Sequence, residues 1–125
     1  MRRDMDLIRT ILLKVEADPR FDGSAPDPRT GPARLTIEGH TDAEVTYHVV
    51  LLVEAGFLSG NIKMASMGNF VVAKLTWEGH ELLDDIRDPE IWRKTKERAK
   101  SVTTVGLAFL WEIAKSEVKT KLGLL

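Results

Sequence analysis

The sequence predicts an α+β fold that is mostly helical, and three observations carry that reading. Apolar residues recur at three- and four-residue steps in segment after segment, two strand-like runs sit back to back in mid-chain, and capping residues, glycine or proline punctuate the joins. The chain has 125 residues, 43% of them hydrophobic and 30% charged, enough apolar material for a core and the size of a single domain over 1–125. Lys and Arg number 18 against 19 Asp and Glu; a net charge of -1 gives no globally basic surface, so any nucleic-acid contact would have to be local. The absence of cysteine excludes a disulfide framework, thiolate catalysis and Cys-ligated metal, and agrees with the expected cytoplasmic setting.

The first element is a helix. Met5, Ile8, Ile11, Leu12 and Val15 share one face, Asp4 and Asp6 lie near the positive end of its dipole, and Pro19 forces Asp18 out of helical backbone. Charges at Arg2, Arg3, Asp4, Asp6 and Arg9 interrupt the run too often for a secretory leader. Residues 19–33 hold Pro19, Gly23, Pro26, Pro28, Gly31 and Pro32 and form a loop, either mobile or wrapped on the surface with Phe21 as its pin, and partial disorder is the expectation. Residues 34–38 alternate apolar and polar and predict a short half-buried strand ended by Gly39.

Thr41-Asp42-Ala43-Glu44 is a capping box, in which Thr41 accepts from the Glu44 N–H and Glu44 reaches back. The helix it opens buries Val45, Val49, Leu52 and Val53 and closes at Ala55-Gly56. Strand-like runs at 57–63 and 69–76, joined by 64–68, predict a β-hairpin. Thr76 caps a further helix with Leu82, Leu83 and Ile86 inward; Asp88-Pro89 then caps another, facing Ile91, Trp92, Thr95 and Ala99 inward. A last helix over 104–122 carries Leu107, Leu110, Trp111, Ala114 and Val118, expected to pack on the first helix or across a homodimer interface. Trp77, Trp92 and Trp111 read as packing residues, and no segment is long and apolar enough for a membrane span.

Helix, strand, capped helix ending in Ala-Gly-Phe-Leu, then a hairpin leaving through Leu75-Thr76-Trp77-Glu78-Gly79-His80, resembles a winged helix-turn-helix. The run from Tyr47 to Leu58 is similar to the recognition-helix-to-wing passage of bacterial winged-helix regulators, and Leu75-Thr76-x-x-Gly79 to their exit from the wing. More of the chain is similar to the uncharacterised bacterial and phage family called domain of unknown function 2513. That match rests on Arg3-Asp4-Met5-Asp6-Leu7-Ile8-Arg9, Tyr47-His48 with Leu52 and Ala55-Gly56, the stretch from Leu75 to Arg87, and Trp92-x-Lys94-Thr95-Lys96-Glu97. The Pro-rich loop and the wing tip fall outside it. The resemblance implies a winged-helix-like core, a C-terminal helical extension over 88–125 and a phage or host context; it implies no activity.

Two departures from a DNA-reading plan stand out. Only Gly39 and His40 separate the 34–38 strand from the capped helix, leaving no room for the usual positioning helix. The outward face of the capped helix offers Asp42, Ala43, Thr46, Tyr47, Val50 and Glu54, with no cation to read guanine or neutralise phosphate. Cations gather elsewhere: Arg93, Lys94, Lys96, Arg98 and Lys100 crowd one helix, and Arg2 and Arg3 would extend the patch if the first helix lies beside it. They are the candidate phosphate contacts, against the plainer reading of a solvated helix surface.

The repeated Leu-Thr-x-Glu-Gly-His at His40 and His80 invites a metal reading, but glycine and small polar residues recur at strand-to-helix joins for backbone reasons, so no metal is assigned. His48 reads as a partly buried hydrogen-bonding residue. No phosphate loop, nucleophile elbow or His-Glu-x-x-His motif is present, so no catalytic residue, cofactor or small-molecule substrate is assigned and the chain reads as a non-enzyme. The expected function is weak, non-specific DNA binding in a regulatory role through the basic patch. The alternative is a protein-interaction module with Thr46, Tyr47, Val50 and Trp111 as candidate contacts.

Overall fold

The computed structural model describes residues 1–63, 65, 70–101 and 106–125. Among these there are five helices and one two-stranded antiparallel sheet, which makes the fold α+β and mostly α. Two compact units divide the chain, Met1–His80 and Glu81–Leu125. No helix among the described residues is long and apolar enough to cross a membrane.

In the first unit, α1 (Met5–Ala17) starts at Asp4, whose extended backbone and side chain, accepting the Leu7 N–H at 3.1 Å, make it the N-cap. Leu7, Ile8, Ile11, Leu12 and Val15 are buried, so Leu7 takes the place on the stripe expected of half-buried Met5. Asp18 ends the helix in extended backbone before Pro19, and the Arg20 guanidinium hydrogen-bonded to it lowers its carboxyl to about 2.

The loop takes the wrapped alternative. Phe21 is buried, the Gly23 N–H donates to the Ala73 carbonyl at 3.0 Å, and a turn closes where the Thr30 and Gly31 N–H groups reach the Asp27 carbonyl. Beyond it, Leu35 and Ile37 are buried while Arg34, Thr36 and Glu38 are exposed, as the alternation predicts, yet 34–38 is not a strand. A period of two reports which side of a segment faces the core; a strand also needs a ladder, and among the described residues 34–38 shares none with β1 or β2.

Gly39 turns at φ +83 and Thr41 caps α2 (Asp42–Glu54), its hydroxyl accepting the Glu44 N–H at 3.1 Å. Val45, His48, Val49 and Leu52 are buried, whereas Val53 is half-buried. The helix ends in a Schellman motif: Gly56, at φ +85, donates to the Val53 carbonyl and Phe57 to the Leu52 carbonyl. This reversal feeds β1 (Leu58–Asn61), which pairs with β2 (Val71–Leu75) in the register Leu58↔Leu75, Ser59↔Lys74, Gly60↔Val72 and Asn61↔Val71. The irregularity between Ser59 and Gly60 leaves Ala73 without an opposite number. Both strands are shorter than expected, and of the 64–68 connection only Ala65 is among the described residues. α1 packs on α2 and β2, and α2 on β1.

Thr76 joins the hairpin to α3 (Trp77–Ile86). Its N–H donates to the Phe57 carbonyl, its hydroxyl donates to the Gly56 carbonyl at 2.5 Å, and the same oxygen accepts the Gly79 N–H at 3.0 Å. Leu82, Leu83 and Ile86 are fully buried. Trp77, expected to pack, is 77% exposed. At about 100° per residue it lies roughly opposite Ile86, on the wrong side of the stripe.

In the second unit, α4 (Pro89–Ala99) begins at Asp88, whose carboxylate accepts from the Glu90 and Ile91 N–H groups, and buries Ile91, Trp92, Thr95 and Ala99 as expected. The buried Thr95 hydroxyl is satisfied by the Ile91 carbonyl at 2.7 Å. The predicted start of the last helix at Thr104 lies outside the described residues; α5 (Leu107–Lys121) packs on α4 and buries Leu110, Ile113 and Ala114. Leu107, Trp111 and Val118 are half-buried, and Ile113, absent from the expected face, is buried at its edge. Trp111 Nε1 donates to Asp85 Oδ2 at 2.8 Å, and Lys121 Nζ closes the far end on Asp88 Oδ2 at 2.6 Å.

Two outcomes test this architecture. A Cβ at position 79 would lie 2.1 Å from the Phe57 carbonyl oxygen, so Gly79→Ala must displace backbone and should destabilise the chain by about 1–3 kcal/mol in urea unfolding, with Thr76→Val losing about 1–2 kcal/mol through two unpaired polar groups. The Lys121 hydrogen bond lowers the Asp88 carboxyl from its ordinary 3.8, and Asp88 in turn raises Lys121 above 10.5. The pair therefore stabilises between those values, losing its effect as pH falls through the folded Asp88 value or rises through that of Lys121. Asp88→Asn keeps the cap and removes the charge; its melting-temperature deficit should be largest near neutral pH and shrink below pH 3.8 and above pH 10.5.

Candidate functional site

The outward face of α2 is one wall of an open groove of about 1060 Å³. Ala43, Thr46, Tyr47 and Val50 line it from α2, Ala33 and Leu35 from the extended segment, and Asn61, Phe70 and Val71 from the hairpin. The sequence identified Thr46, Tyr47 and Val50 as a neutral outward surface, and the structure brings them together. Geometry alone supplies the other two walls, because residues 33–35 and 70–71 reach the groove only once the loop and the hairpin are folded around α2.

The two charged side chains lining this groove pair with each other. Arg34 Nη2 donates to Asp42 Oδ2 at 2.8 Å, both side chains largely exposed, which leaves the Thr46, Tyr47 and Val50 wall to meet a ligand with apolar and hydroxyl surface. Tyr47 stands edge-on to His48, with ring centroids 5.4 Å apart at 82°.

His48 fixes the inner side of the same helix. It is 2% exposed; Nδ1–H donates to the Glu44 carbonyl at 2.7 Å, and Nε2 accepts the Asp4 N–H at 2.8 Å. Only the neutral ring protonated at Nδ1 fits both bonds. With both nitrogens engaged by backbone, His48 links the N-cap of α1 to α2, the hydrogen-bonding role the sequence gives it, with deeper burial than expected.

The two Glu-Gly-His repeats do not act as pairs. His40 Nδ1 meets Glu44 Oε2 at 2.8 Å, and that hydrogen bond holds the Glu44 carboxyl below its ordinary value; His80, half-exposed, lies 4.0 Å from Glu16. Among the described residues no group of three or more His, Asp or Glu side chains converges as a metal site would require.

The basic candidates on α4 are exposed but interleaved with acids. Lys94 pairs with Glu90 at 3.4 Å, Lys100 with Glu97 at 2.6 Å, and Arg98 with Glu117 at 3.0 Å; Lys96 lies over the Trp92 ring at 5.8 Å. Lys100, with Arg93 adding its charge, holds the Glu97 carboxyl below its ordinary value. Surface pairs of this kind contribute about 0–1 kcal/mol each and exchange partners readily. Arg2 and Arg3 are exposed ahead of α1 in the first unit, whereas α4 belongs to the second. Trp111, a candidate contact, is engaged within the second unit by Asp85 and by Lys115, 4.5 Å over its ring.

Residues 2–106, from before α1 to the residue that opens α5, match the family model described as "Hypothetical protein (DUF2513)". A protein of Haemophilus influenzae described as "Uncharacterized protein" is 41% identical over 105 residues, covering 81% of this chain and 80% of its own length. No solved structure matches the chain.

Proposed function

We propose that this chain, which belongs to the DUF2513 family, is a protein-interaction module built on a winged-helix-like scaffold, with the groove between α2 and the hairpin as its docking site. The observation that carries the reading is the gathering of the uncharged side chains of Thr46, Tyr47 and Val50 with Phe70 and Val71 around one concavity. Interface centres favour aromatic residues and exclude lysine, and the α2 wall has that composition. The order α2, hairpin, α3, with the hairpin leaving through Thr76, supports the winged-helix comparison. In this reading the chain works in the cytoplasm by binding, without catalysis, and Phe109 and Leu122, 56% and 67% exposed on and just after α5, supply the surface for a homodimer.

A second reading has the run 93–100 gripping the DNA backbone without reading bases, in a phage or bacterial regulatory setting. Four exposed cations on α4 and Lys100 at its C-cap favour it; the acids among them weaken it.

Capture from the native host with wild type and with the Tyr47→Ala, Val50→Asp double variant tests the first reading: partners should be lost from the variant, and identical partner lists would overturn it. For the second, a salt titration with random duplex should show binding at low salt that weakens steeply as salt rises. It should disappear when Arg93, Lys94, Lys96 and Arg98 become Glu; binding unchanged by that reversal would sink it.

A further inference from the structure

We infer that His48 is a proton-operated latch on the start of α1: the neutral ring holds Asp4 against α2, and a ring that takes a second proton lets residues 1–4 and the first turn of α1 go. The inference stands apart from what fills the groove and rests on the hydrogen-bond polarity at one buried ring. His48 is 2% exposed, its Nδ1–H is committed to the Glu44 carbonyl at 2.7 Å, and its Nε2 lone pair receives the Asp4 N–H at 2.8 Å. A second proton has one place to go, Nε2, where it would meet an N–H already pointing at it, donor against donor. It therefore enters only after the Asp4 N–H has left. The proton becomes a ligand of the released state alone, and acid shifts the balance toward release by mass action. A free imidazole changes charge at about pH 6.5, so the shift begins close to neutrality.

The charged groups around the ring leave this polarity in force. On α1 the facing acid is Asp4 itself, whose Oδ1 accepts the Leu7 N–H at 3.1 Å as the N-cap, and ahead of α1 the exposed Arg2 and Arg3 bring cations to this end, not acceptors. On α2 the Glu44 carboxylate meets His40 Nδ1 at 2.8 Å, and Tyr47 stands ring against ring with His48. β1, which packs on α2, has no titratable side chain; on β2, which packs on α1, there is Lys74, whose stem lies beside Gly23 of the loop. Release undoes more than one bond. The Asp4 carbonyl accepts the Ile8 N–H at 3.0 Å and its carboxylate the Leu7 N–H, so the residue that His48 holds is the one that holds the first turn of α1. Met1 lines the groove, and Tyr47 touches both the groove and the His48 ring, so release also alters that surface.

The test follows the full chain by NMR from about pH 8 to about pH 5, a range in which free carboxyl groups stay ionised. At the upper end the nitrogen spectrum of His48 should be that of a ring protonated at Nδ1 alone. Corrected for the intrinsic rate, the hydrogen-exchange protection of the Asp4 and Leu7 amides should fall about tenfold for each pH unit below about 6.5, while Leu52 in α2 and Leu83 in α3 keep theirs. A His40→Gln, His80→Gln double variant, with His48 as its one histidine, should respond like the wild type. His48→Gln, whose amide oxygen can take the Asp4 N–H without titrating, should lose the pH dependence; if it does not fold, the double variant and the ring spectrum decide. Protection that stays flat with pH, or a response that vanishes from the double variant, overturns the latch. So does a ring that takes its second proton with the Asp4 and Leu7 amides unmoved, since the charge is then shared with the Asp4 carboxylate in place.

Discussion

The first unit depends on one junction, the seat of Thr76 and Gly79 against Phe57 and Gly56. Four chain segments meet there: the end of α2, the entry to β1, the exit from β2 and the start of α3. One threonine satisfies three polar groups, and the missing side chain at Gly79 lets the first turn of α3 sit directly on the Phe57 carbonyl. Since the Schellman reversal at Gly56 sets the direction of β1 and Thr76 returns β2 to the same spot, the hairpin is clamped at its base. Asn61, Phe70 and Val71 of that hairpin line the groove together with Thr46, Tyr47 and Val50, so the outward residues of α2 are walled without being covered.

The inner side of α2 is fixed by a different interaction with the same economy. His48 takes the backbone N–H of Asp4, and the Asp4 carboxylate takes the N–H of Leu7, so a side chain of α2 holds the residue that starts α1. Helix initiation and helix packing are thereby coupled: the geometry that brings His48 to Asp4 also lays Leu7, Ile8 and Ile11 into the core beside Val45, Val49 and Leu52. With its inner side committed to two backbone groups and an apolar stripe, α2 has only its outer side for recognition.

Local chemistry in the sequence specified most of this. The capping box at Thr41, the cap and proline at Asp88-Pro89, the glycine at 56 and the inward faces of α3 and α4 all follow from residues within one turn of each other, where the physics is short-range. The failures share the opposite property. Whether 34–38 joins a ladder depends on a partner strand from another segment altogether; Ile113 and Trp111 depend on α4 and Asp85; and the groove depends on three segments arriving together. Trp77 is the instructive exception, because its exposure was written in the angular position of Leu82, Leu83 and Ile86, and bulk alone argued for burial.

The composition of the groove bears on how such a site would gain affinity. Exposed polar groups are hydrated, so replacing water by a partner's hydrogen bonds gains only about 0.5–1.5 kcal/mol per bond, and the cost of ordering a partner segment is of the same size per residue. Hydrogen bonds alone therefore come close to balance. What remains is the apolar contact with Tyr47, Val50 and Phe70, at about 25 cal/mol per Å² removed from water. In this division of labour polar contacts orient the bound partner, while the α2 wall supplies the free energy and selects the side chains. Arg34 and Asp42 fit the same scheme: paired with each other, they leave the α2 wall to discriminate by shape and polarity.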